Sequence, residues 1–556
     1  GVRVDHVDGL ADPRAYLEQL AAALRKGAAR QRRRSPYLIV EKILAWDERL
    51  PATWPVGGTT GYDALARIGG VLVPARAPPL LEEAYQIACA GESSPFAEVA
   101  FRGKCDVQDT LFRGERAALC ALAEHERPPG VSSNEAPNFS RTLTALTAAL
   151  PTYRTYGRAG GRLGREDRRW LDRARSTLRL HQPGARPDPS VWSPRVEPSA
   201  KRARLGSSRP RSFLLHWQQY SSAVAAKGIE DTAFYRDARW IGANEVGGDP
   251  ATIAVSVDEF HRFQQERMRR AGPTLTPTST HDTKWGEDAR ARLLVLAELA
   301  RPWGQDVTRW RRLNRSVRER AAPTHPPTKR EEYRLYQTLV ATAPASGGWP
   351  PGYLRRVESY LVKCAREAKE ATSWLDPDLA HEEGLVRFVR GLAGESRTTP
   401  FRVAFARWAR TAAYLGGYYS GAQTILRTML PGIPDLYQGS EAWNFSMVDP
   451  DNRRPVRFDR LARKLQRAER GHRSARAPLR TVHRRGGTFT EEDKLALTAY
   501  LLRFRQRHRP LFEEGEYIPV WEATAGRKVP AVAFCRRRGS EWILVAVGRG
   551  LAGLNG

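Results

Sequence analysis

The stretch Gly1-Val-Arg-Val-Asp-His-Val-Asp-Gly-Leu10 opens the chain and alternates apolar with charged residues. This alternation, closed by charged groups and the turn-forming Gly9, predicts a short buried strand. Arg3 and Asp5 are two residues apart, so their side chains leave a strand on the same face. An arginine so placed keeps a strand-end carboxylate ionised and oriented, as an anionic nucleophile or a metal ligand requires. A surface ion pair explains the same two residues, so the pattern needs support from the rest of the chain.

The residues that follow extend this strand into a larger unit. Residues 12–25 have a helix pattern, with an aspartate at the N-cap, Pro13 in the first turn and leucines along one face. Residues 36–41 form an apolar run that ends in an acid, as strands buried on both faces of a parallel sheet do. Strand, helix and strand at this spacing form a βαβ unit whose two strands end in Asp5 and Glu41. This arrangement predicts a (β/α) barrel, in which catalytic groups lie at the carboxyl ends of the strands.

A third candidate acid ends the β-prone run Thr278-Ser-Thr-His-Asp282. Three acids at strand ends suit glycosyl transfer with retention, which needs a nucleophilic carboxylate and a proton-donating carboxyl group about 5–5.5 Å apart. The third acid can hydrogen-bond sugar hydroxyls and favour distortion of the ring. Only His6 and His281 lie near the candidate acids in sequence, so no catalytic metal is predicted. Taken singly, each acid is explained equally well by an ordinary ion pair at the barrel rim.

Length and composition limit the class of protein. The 556 residues can bury a large core and form more than one folding unit, and no apolar run is long enough to span a membrane. The five cysteines are scattered and include no Cys-x-x-Cys pair. This usage favours a reducing compartment, the cytoplasm, over a disulfide framework or a zinc site.

The net charge is the strongest anomaly of the composition. Lys and Arg number 90 against 61 Asp and Glu, which gives a formal charge of +29 and raises the hypothesis of nucleic-acid binding. The arginines are nevertheless spread along the chain, and their short runs, as at residues 311–320, are not interleaved with aromatic residues. An arginine-rich solvated surface explains the charge better. A basic nucleic-acid-binding protein remains the alternative outside enzymes.

Composition and patterning divide the chain into four expected parts. Residues 1–157 would carry the first two acids on a portion of the barrel, followed by helices and a short strand at 151–156. Residues 158–275 begin rich in Arg, Pro, Ser and Gly and would form an insertion, which is a candidate lid. Residues 276–485 would hold the remaining barrel with a helical insertion. Alternating stretches in residues 486–556 predict the start of an antiparallel β domain.

Several longer motifs resemble the α-amylase clan of glycoside hydrolases. The opening decapeptide, Val40-Glu-Lys-Ile-Leu44 and Thr280-His-Asp-Thr-Lys284 resemble regions II, III and IV of that clan. Further motifs resemble the maltooligosyl trehalose synthase family in particular and follow its order: Gly58-Thr-Thr-Gly-Tyr-Asp63, Ala226-Lys-Gly-Ile-Glu-Asp-Thr-Ala-Phe-Tyr235, Asn244-Glu-Val-Gly-Gly-Asp-Pro250, Pro431-Gly-Ile-Pro-Asp-Leu-Tyr-Gln-Gly-Ser-Glu441 and Asp449-Pro-Asp-Asn-Arg-Arg-Pro-Val456.

The resemblance implies both a fold and a reaction. The fold would be α/β, a partial (β/α)8 TIM barrel from about the fourth strand onward, with large helical insertions and a C-terminal antiparallel β domain. The reaction would be an intramolecular transglucosylation, in which the reducing-end α-1,4 bond of a maltooligosaccharide becomes an α,α-1,1 bond by retaining double displacement. Such an isomerase serves trehalose biosynthesis and needs no cofactor. Its partners would be the maltooligosaccharide and, functionally, a maltooligosyltrehalose trehalohydrolase.

The same motifs imply a role for seven site residues: nucleophile Asp5, general acid and base Glu41, transition-state stabiliser Asp282, and the substrate-binding residues Arg3, His6, His281 and Lys284. Arg3 would steady Asp5, and the two histidines would hydrogen-bond sugar hydroxyls beside the cleaved bond. The site must also hold the cleaved glucose and exclude water, because the glycosyl-enzyme would otherwise hydrolyse.

The chain departs from the family pattern at three places. The clan's first region, Asp-x-x-x-Asn-His, is missing from the sequence, while Trp285 and Arg457 stand where an arginine and an acid are usual. We therefore expect an N-terminally truncated member that folds poorly and has little activity when expressed as given. Another hydrolase or transglycosylase of the clan remains the alternative among enzymes.

Overall fold

The computed structural model describes residues 1–34, 36–89, 93–125, 136–158, 163–181, 212–269, 272–322, 326–394, 396, 398–471, 487–521 and 530–555. Helices dominate this part of the chain. The α-helices of five residues or more are, in order, α1 (Pro13–Arg30), α2 (Tyr62–Leu72), α3 (Ala77–Cys89), α4 (Phe96–Asp109), α5 (Arg113–His125), α6 (Ala136–Ala149), α7 (Arg165–His181), α8 (Ser212–Ala225), α9 (Val257–Arg269), α10 (Glu287–Glu298), α11 (Ala300–Leu313), α12 (Arg315–Ala321), α13 (Lys329–Thr342), α14 (Pro351–Ala368), α15 (Leu379–Gly394), α16 (Pro400–Met429), α17 (Phe458–Gly471), α18 (Glu491–Arg507) and α19 (Arg509–Glu513). The strands are β1 (Val2–Val4), β2 (Leu38–Val40), β3 (Gly58–Thr59), β4 (Leu275–Pro277), β5 (Ile433–Asp435), β6 (Glu516–Val520), β7 (Ala531–Arg538) and β8 (Glu541–Gly548).

The chain packs into two compact units, each made of two separate stretches. The first unit contains residues 1–60 and 94–233, and the second contains residues 61–93 and 234–556. Within the insertion predicted at residues 158–275, residues 159–162, 182–211 and 270–271 lie outside the described residues. Among the described helices, none combines the length and the apolar character that crossing a membrane requires.

The predicted βαβ unit is confirmed in the first unit. Strands β1, β2 and β3 form a parallel sheet in that order, and Val4 is paired with Val40. Helix α1 connects the first two strands and begins as expected, because the Asp12 carboxylate accepts a hydrogen bond of 2.9 Å from the backbone N–H of Ala15. Leu17 of α1 is fully buried and packs with the sheet residues in one apolar cluster. The local sequence pattern therefore predicts where each of the two strands ends.

The strand predicted at residues 151–156 is wrong. Residues 151–153 form bends, residues 154–158 have no regular secondary structure, and the segment pairs with no strand of the described chain. The N–H of Tyr156 donates to the Asp167 carboxylate at 2.9 Å, and the N–H of Gly157 donates to Gln218 Oε1 at 2.7 Å. Helices α4 to α8 pack beside this segment around the fully buried Trp217. Wide π-helical turns at Ala226–Ala233 follow α8.

The second unit is a helical assembly around a parallel strand pair. Strands β4 and β5 pair in register, Leu275 with Ile433 and Pro277 with Asp435. All residues of α10 are buried, and the 30-residue helix α16 packs along it. Apolar periodicity also predicts helices at residues 286–299 and 491–507, which are α10 and α18, and mostly helical structure from residue 307 to about 429, where α11 through α16 lie.

An antiparallel sheet closes the described chain. Strand β6 pairs with β7, and β7 pairs with β8. The alternating stretches seen in the sequence therefore form antiparallel strands, as predicted. Helix α9 packs against β6, where His261 Nδ1 and the Tyr517 hydroxyl are hydrogen-bonded at 2.7 Å. Burial lowers the pKa of His261 to about 4, so the imidazole is neutral at physiological pH.

Candidate active site

Asp5 lies one residue beyond the end of β1 and is held by the arginine that precedes it. Arg3 Nε is 2.6 Å from Asp5 Oδ1, and Arg3 Nη2 donates to Asp5 Oδ2 at 3.3 Å. The Arg3 and Asp5 side chains are 43% and 61% exposed. A guanidinium fork of this kind fixes the plane of the carboxylate. The Asp5 carboxylate is thus oriented while still accessible to a ligand.

Glu41 lies at the equivalent position of the neighbouring strand. Its N–H donates to the carbonyl of Val4 at 2.8 Å, and its side-chain Oε2 accepts a 2.7 Å hydrogen bond from the backbone N–H of His6. His6 has a left-handed backbone conformation, with φ of 45°. Its imidazole lies over Gly9, where a Cβ would collide with the ring. The residue after Asp5 therefore anchors the second acid.

A buried ionic group supports the two strand ends, and sequence reasoning missed it. Lys42 Nζ lies 3.1 Å from Asp8 Oδ2 and 3.0 Å from Glu48 Oε1, and all three side chains are almost completely buried. The Tyr156 hydroxyl donates to Asp8 Oδ1 at 2.5 Å. Burial lowers the pKa of Lys42, but its two ion pairs outweigh burial and leave the pKa above its usual value. Nothing in the sequence marks this lysine as a core residue.

His281 and Asp282 lie on a turn that follows β4 in the second unit. The strand ends at Pro277, so the predicted β-prone run itself forms the turn. His281 Nε2 is 3.0 Å from Asp282 Oδ2, and Arg453 Nη2 donates to Asp282 Oδ1 at 3.4 Å. The His281 and Asp282 side chains are 37% and 39% exposed. The two residues therefore present an imidazole and a carboxylate together.

Two side chains that the sequence did not single out hold this turn. Glu245 is 3% exposed and accepts hydrogen bonds from the N–H of Lys284 at 2.6 Å and the N–H of Trp285 at 3.2 Å. Asn452 Nδ2 donates to the carbonyl of His281 at 2.9 Å. Both residues lie in motifs that indicated the family, but the motifs gave no sign of which member faces the turn.

Lys284 and Trp285 differ in their surroundings. Lys284 Nζ lies 5.6 Å from the centroid of the Tyr235 ring. Trp285 is 1% exposed and packs against Tyr360 at a centroid distance of 5.2 Å. Arg457, the other departure from the family pattern, is exposed just before α17. Trp285 therefore fills core space rather than facing a ligand.

A second buried ionic group lies behind the His281–Asp282 turn. Lys494 Nζ is 2.6 Å from Glu287 Oε1 and 2.8 Å from Asp288 Oδ2, and Arg427 Nη1 is 2.7 Å from Glu287 Oε2. Thr278, at the start of the turn, donates to Glu287 Oε2 at 2.5 Å. Burial raises the pKa of Glu287, but Arg427 and Lys494 outweigh this effect and lower the pKa to about 2.

The seven candidate residues thus form two groups, each within one unit. The first unit brings together Arg3, Asp5, His6 and Glu41 through the β1–β2 register. The second unit brings together His281, Asp282 and Lys284 on one turn. The first group offers two carboxylates at adjacent strand ends. This is the pair that acid–base and nucleophilic chemistry at a glycosidic bond requires.

Comparison with known proteins identifies relatives along the whole chain. No family model matches the sequence. A curated protein of Mycobacterium tuberculosis strain H37Rv, provisionally named a maltooligosyl trehalose synthase, is 33% identical over 555 residues, which is 99% of this chain and 62% of the relative. The counterpart in strain CDC 1551 matches equally well. The chain thus spans 62% of the length of the curated relatives it matches.

Solved structures lead to the same family. The maltooligosyltrehalose synthase of Arthrobacter ramosus matches with a TM-score of 0.77 at 31% identity, over 100% of this chain and 63% of that one. A hypothetical maltooligosyl trehalose synthase of Sulfolobus tokodaii matches with a TM-score of 0.74 at 25% identity, over 98% of this chain and 64% of that one. Agreement of sequence and fold confirms the resemblance carried by the motifs. Over the part of these proteins that it spans, the chain is similar in sequence and fold to the maltooligosyl trehalose synthases.

Proposed function

We propose that the chain carries the catalytic acids of an intramolecular transglucosylase. The substrate would be a maltooligosaccharide, whose reducing-end α-1,4 bond is converted to an α,α-1,1 bond. The observation that supports this proposal best is the β1–β2 register, which puts Asp5 and Glu41 at equivalent positions of adjacent parallel strands. Neighbouring strands lie about 4.7–4.9 Å apart, a scale that suits the carboxyl separation of about 5–5.5 Å in retaining glycosidases.

Asp5 is suited to the nucleophilic step. Its carboxylate would attack the anomeric carbon of the glucosyl residue next to the reducing end, while Glu41 donates its proton to the departing O4 of the terminal glucose. A covalent glycosyl-enzyme and one free glucose result. The fork from Arg3 to Asp5 supports this assignment, because it holds the carboxylate in one plane without burying it.

Glu41 is suited to act twice. After the first step its carboxylate is ionised and can take the proton from the anomeric hydroxyl of the retained glucose. That oxygen then attacks the glycosyl-enzyme, forms the α,α-1,1 bond and releases Asp5. The hydrogen bond from the His6 N–H to Glu41 supports this role by holding the carboxyl group beside the nucleophile through both steps.

Asp282 and His281 are proposed to bind the glucosyl ring that develops positive charge. A carboxylate stabilises an oxocarbenium-like transition state electrostatically, and an imidazole hydrogen-bonds sugar hydroxyls. Their mutual contact of 3.0 Å and partial exposure support a shared role in ligand binding. Lys284, held at its backbone by Glu245, is proposed as a further substrate contact.

The finer features of the fold are part of the same proposal. We propose that the parallel strands belong to a (β/α)8 barrel with helical insertions, and that β6 to β8 begin a C-terminal β domain. The four-part division at residues 157, 275 and 485 remains a prediction. A cytoplasmic location and functional pairing with a trehalohydrolase are likewise proposed from the family.

Product analysis on maltopentaose tests the reaction. Because the chain spans 62% of its curated relatives, the assay uses the longest open reading frame that contains this sequence. A non-reducing product that contains all five glucose units is expected, and Asp5→Asn should slow its formation by roughly three orders of magnitude or more. Asp172→Asn on α7, whose side chain is 70% exposed, is the matched control and should leave the rate unchanged. New reducing ends as the main product would instead identify a hydrolase of the clan.

The chain as given provides a second comparison. We expect it to form the non-reducing product far more slowly than a protein that spans the full length of its curated relatives. Equal turnover by the two proteins would contradict that expectation. Salt-dependent binding of arbitrary duplex DNA, together with an activity unaffected by Asp5→Asn, would favour the nucleic-acid alternative.

A further inference from the structure

A cationic cavity lies in the second unit, at the amino ends of β4 and β5. Its volume is about 530 Å³, within the range of small-molecule sites. Arg267, Arg505 and Arg509 line it, while Glu513 is the acid among the described lining residues. The strands run from this cavity toward the end where β4 leads into the turn that carries Asp282. The cavity is therefore separate from the site proposed above.

Arg505 has unused hydrogen-bonding capacity beside this cavity. Its Nη1 donates to the carbonyls of Thr428 at 2.7 Å and Leu430 at 3.3 Å, and its Nη2 donates to the carbonyl of Gly432. A guanidinium carries five N–H donors. The Nε–H and one Nη2–H of Arg505 have no acceptor in the described part of the chain. Two donors of a half-buried cation thus remain available to a ligand.

Among the described residues, no carboxylate is hydrogen-bonded to Arg505 or Arg536, and Glu513 is the acid that acts on Arg505. The oxygen acceptors of Arg505 and of the fully buried Arg536 are all backbone carbonyls among the described residues. Burial, followed by repulsion from Arg536, lowers the pKa of Arg505 to about 10, and burial does the same for Arg536. Both side chains therefore stay protonated at neutral pH. Three arginines against one acid in the described lining create a potential that attracts an anion.

Arg509 adds an exposed donor at the rim of the cavity. Its side chain is 72% exposed, and its Nε donates to Glu513 at 2.6 Å, which leaves both Nη groups without an acceptor among the described residues. Arg267, 4% exposed, is fixed by Leu275 and Thr276 at the start of β4. Ile433 contributes apolar surface to the same cavity. The cavity wall therefore presents guanidinium groups, and the cavity has room for an organic group as well.

We propose that this cavity binds a small organic phosphate, a phosphomonoester about the size of a hexose phosphate. Guanidinium forks match phosphate oxygens bidentately, and the volume far exceeds what one phosphate group fills. Arg505 and Arg509 would hold the phosphate, while Arg267 and Arg536 supply positive potential. The proposal does not depend on the transglucosylation, because binding is measured without turnover.

Calorimetric titration of the chain with glucose 6-phosphate tests the site, with inorganic phosphate and glucose as separate arms. Glucose 6-phosphate should bind at one site per chain, inorganic phosphate more weakly, and glucose not at all. No saturable binding of glucose 6-phosphate would overturn the proposal. Binding of inorganic phosphate alone would also overturn it, since the organic group would then have no place in the cavity.

Three variants assign the binding to this cavity. Arg509→Gln should weaken glucose 6-phosphate binding about tenfold, because it removes a charge-assisted hydrogen bond. Glu513→Gln should strengthen binding, because it removes the lining carboxylate that competes for Arg509. Arg463→Gln is the matched control, since Arg463 is similarly exposed and pairs with Asp459 four residues before it, as Arg509 pairs with Glu513 four residues after it. Equal losses for Arg509→Gln and Arg463→Gln would place binding elsewhere and refute the assignment.

Discussion

In each unit, an accessible candidate acid is followed a few residues later in the chain by a buried acid. In the first unit the Asp5 side chain is 61% exposed while that of Asp8 is 6% exposed. In the second unit the corresponding values are 39% for Asp282 and 2% for Asp288. The accessible acids contact arginines that are themselves exposed, whereas the buried acids contact fully buried lysines. An aspartate therefore has one role when its side chain is exposed and another when its side chain is buried.

The difference shows how a ligand-facing carboxylate can be held on a short strand. Strands β1 and β4 are only three residues long. The backbone hydrogen bonds of so short a strand do not by themselves fix the segment that follows it. A buried ion pair with further hydrogen bonds strongly penalises any local rearrangement, because one charge would be left without its partner. The buried acid thus fixes the segment, and the exposed acid retains free lone pairs. Three substitutions test this difference between the exposed and the buried acids.

The largest effect is expected for Lys494→Met. Removal of this fully buried cation leaves the Glu287 and Asp288 carboxylates without their shared partner. We expect the free energy of unfolding to fall by about 3–5 kcal/mol, measured by urea denaturation at pH 7. Lys26→Met, on the exposed face of α1, is the control and should change stability by no more than about 0.5 kcal/mol. Equal stabilities of the two variants would contradict a structural role for the buried acids.

A smaller, pH-dependent effect is expected for Glu287→Gln. The folded-state pKa of Glu287 is lowered to about 2 from an ordinary value of 4.5, so its ion pairs stabilise the fold fully above about pH 4.5. That contribution, on the order of 3 kcal/mol, is lost as pH falls toward 2 because the wild-type carboxylate becomes protonated. The stability difference between wild type and variant should therefore shrink from pH 7 to pH 3. A difference that stays constant over this range would show that Glu287 is not ionised in the fold.

The smallest effect on stability is expected for Arg3→Gln. Its ion pair with Asp5 is exposed, and such pairs contribute at most about 1 kcal/mol. The rate of transglucosylation should nevertheless fall, since Asp5 loses the fork that orients it. Thermal denaturation and initial rates on maltopentaose measure the two outcomes separately. A large loss of stability with an unchanged rate would reverse the roles assigned to the exposed and buried acids.

The elements that the sequence predicted correctly have local signals. The Asp12 cap and the apolar run that became β2 lie within a few residues of the structure they specify. Helix α18 likewise begins after Thr490, which caps it through a hydrogen bond with the N–H of Asp493. Capping groups and periodic apolar faces act over one or two turns, so a single sequence is enough to find them.

The elements that were mispredicted or missed depend on distant partners. Residues 151–156 have β-prone side chains, but Asp167 and Gln218 accept hydrogen bonds from the backbone N–H groups of Tyr156 and Gly157. Lys42 and Glu245 resemble surface residues until the fold buries them with their partners. The two units also join stretches far apart in the chain, which composition alone could not indicate. In the candidate site, the sequence motifs identified the accessible residues. The side chains that hold those residues in place were found only from their packing in the structure.

The left-handed backbone at His6 has a consequence for how the protein can change over evolutionary time. A residue with a Cβ at positive φ costs about 1–2 kcal/mol that glycine avoids, so selection for heat resistance alone would favour glycine or asparagine there. Such a change would also remove the ring that excludes a side chain at Gly9. Positions 6 and 9 are therefore expected to vary together, and a lineage that keeps histidine at the first must keep glycine at the second.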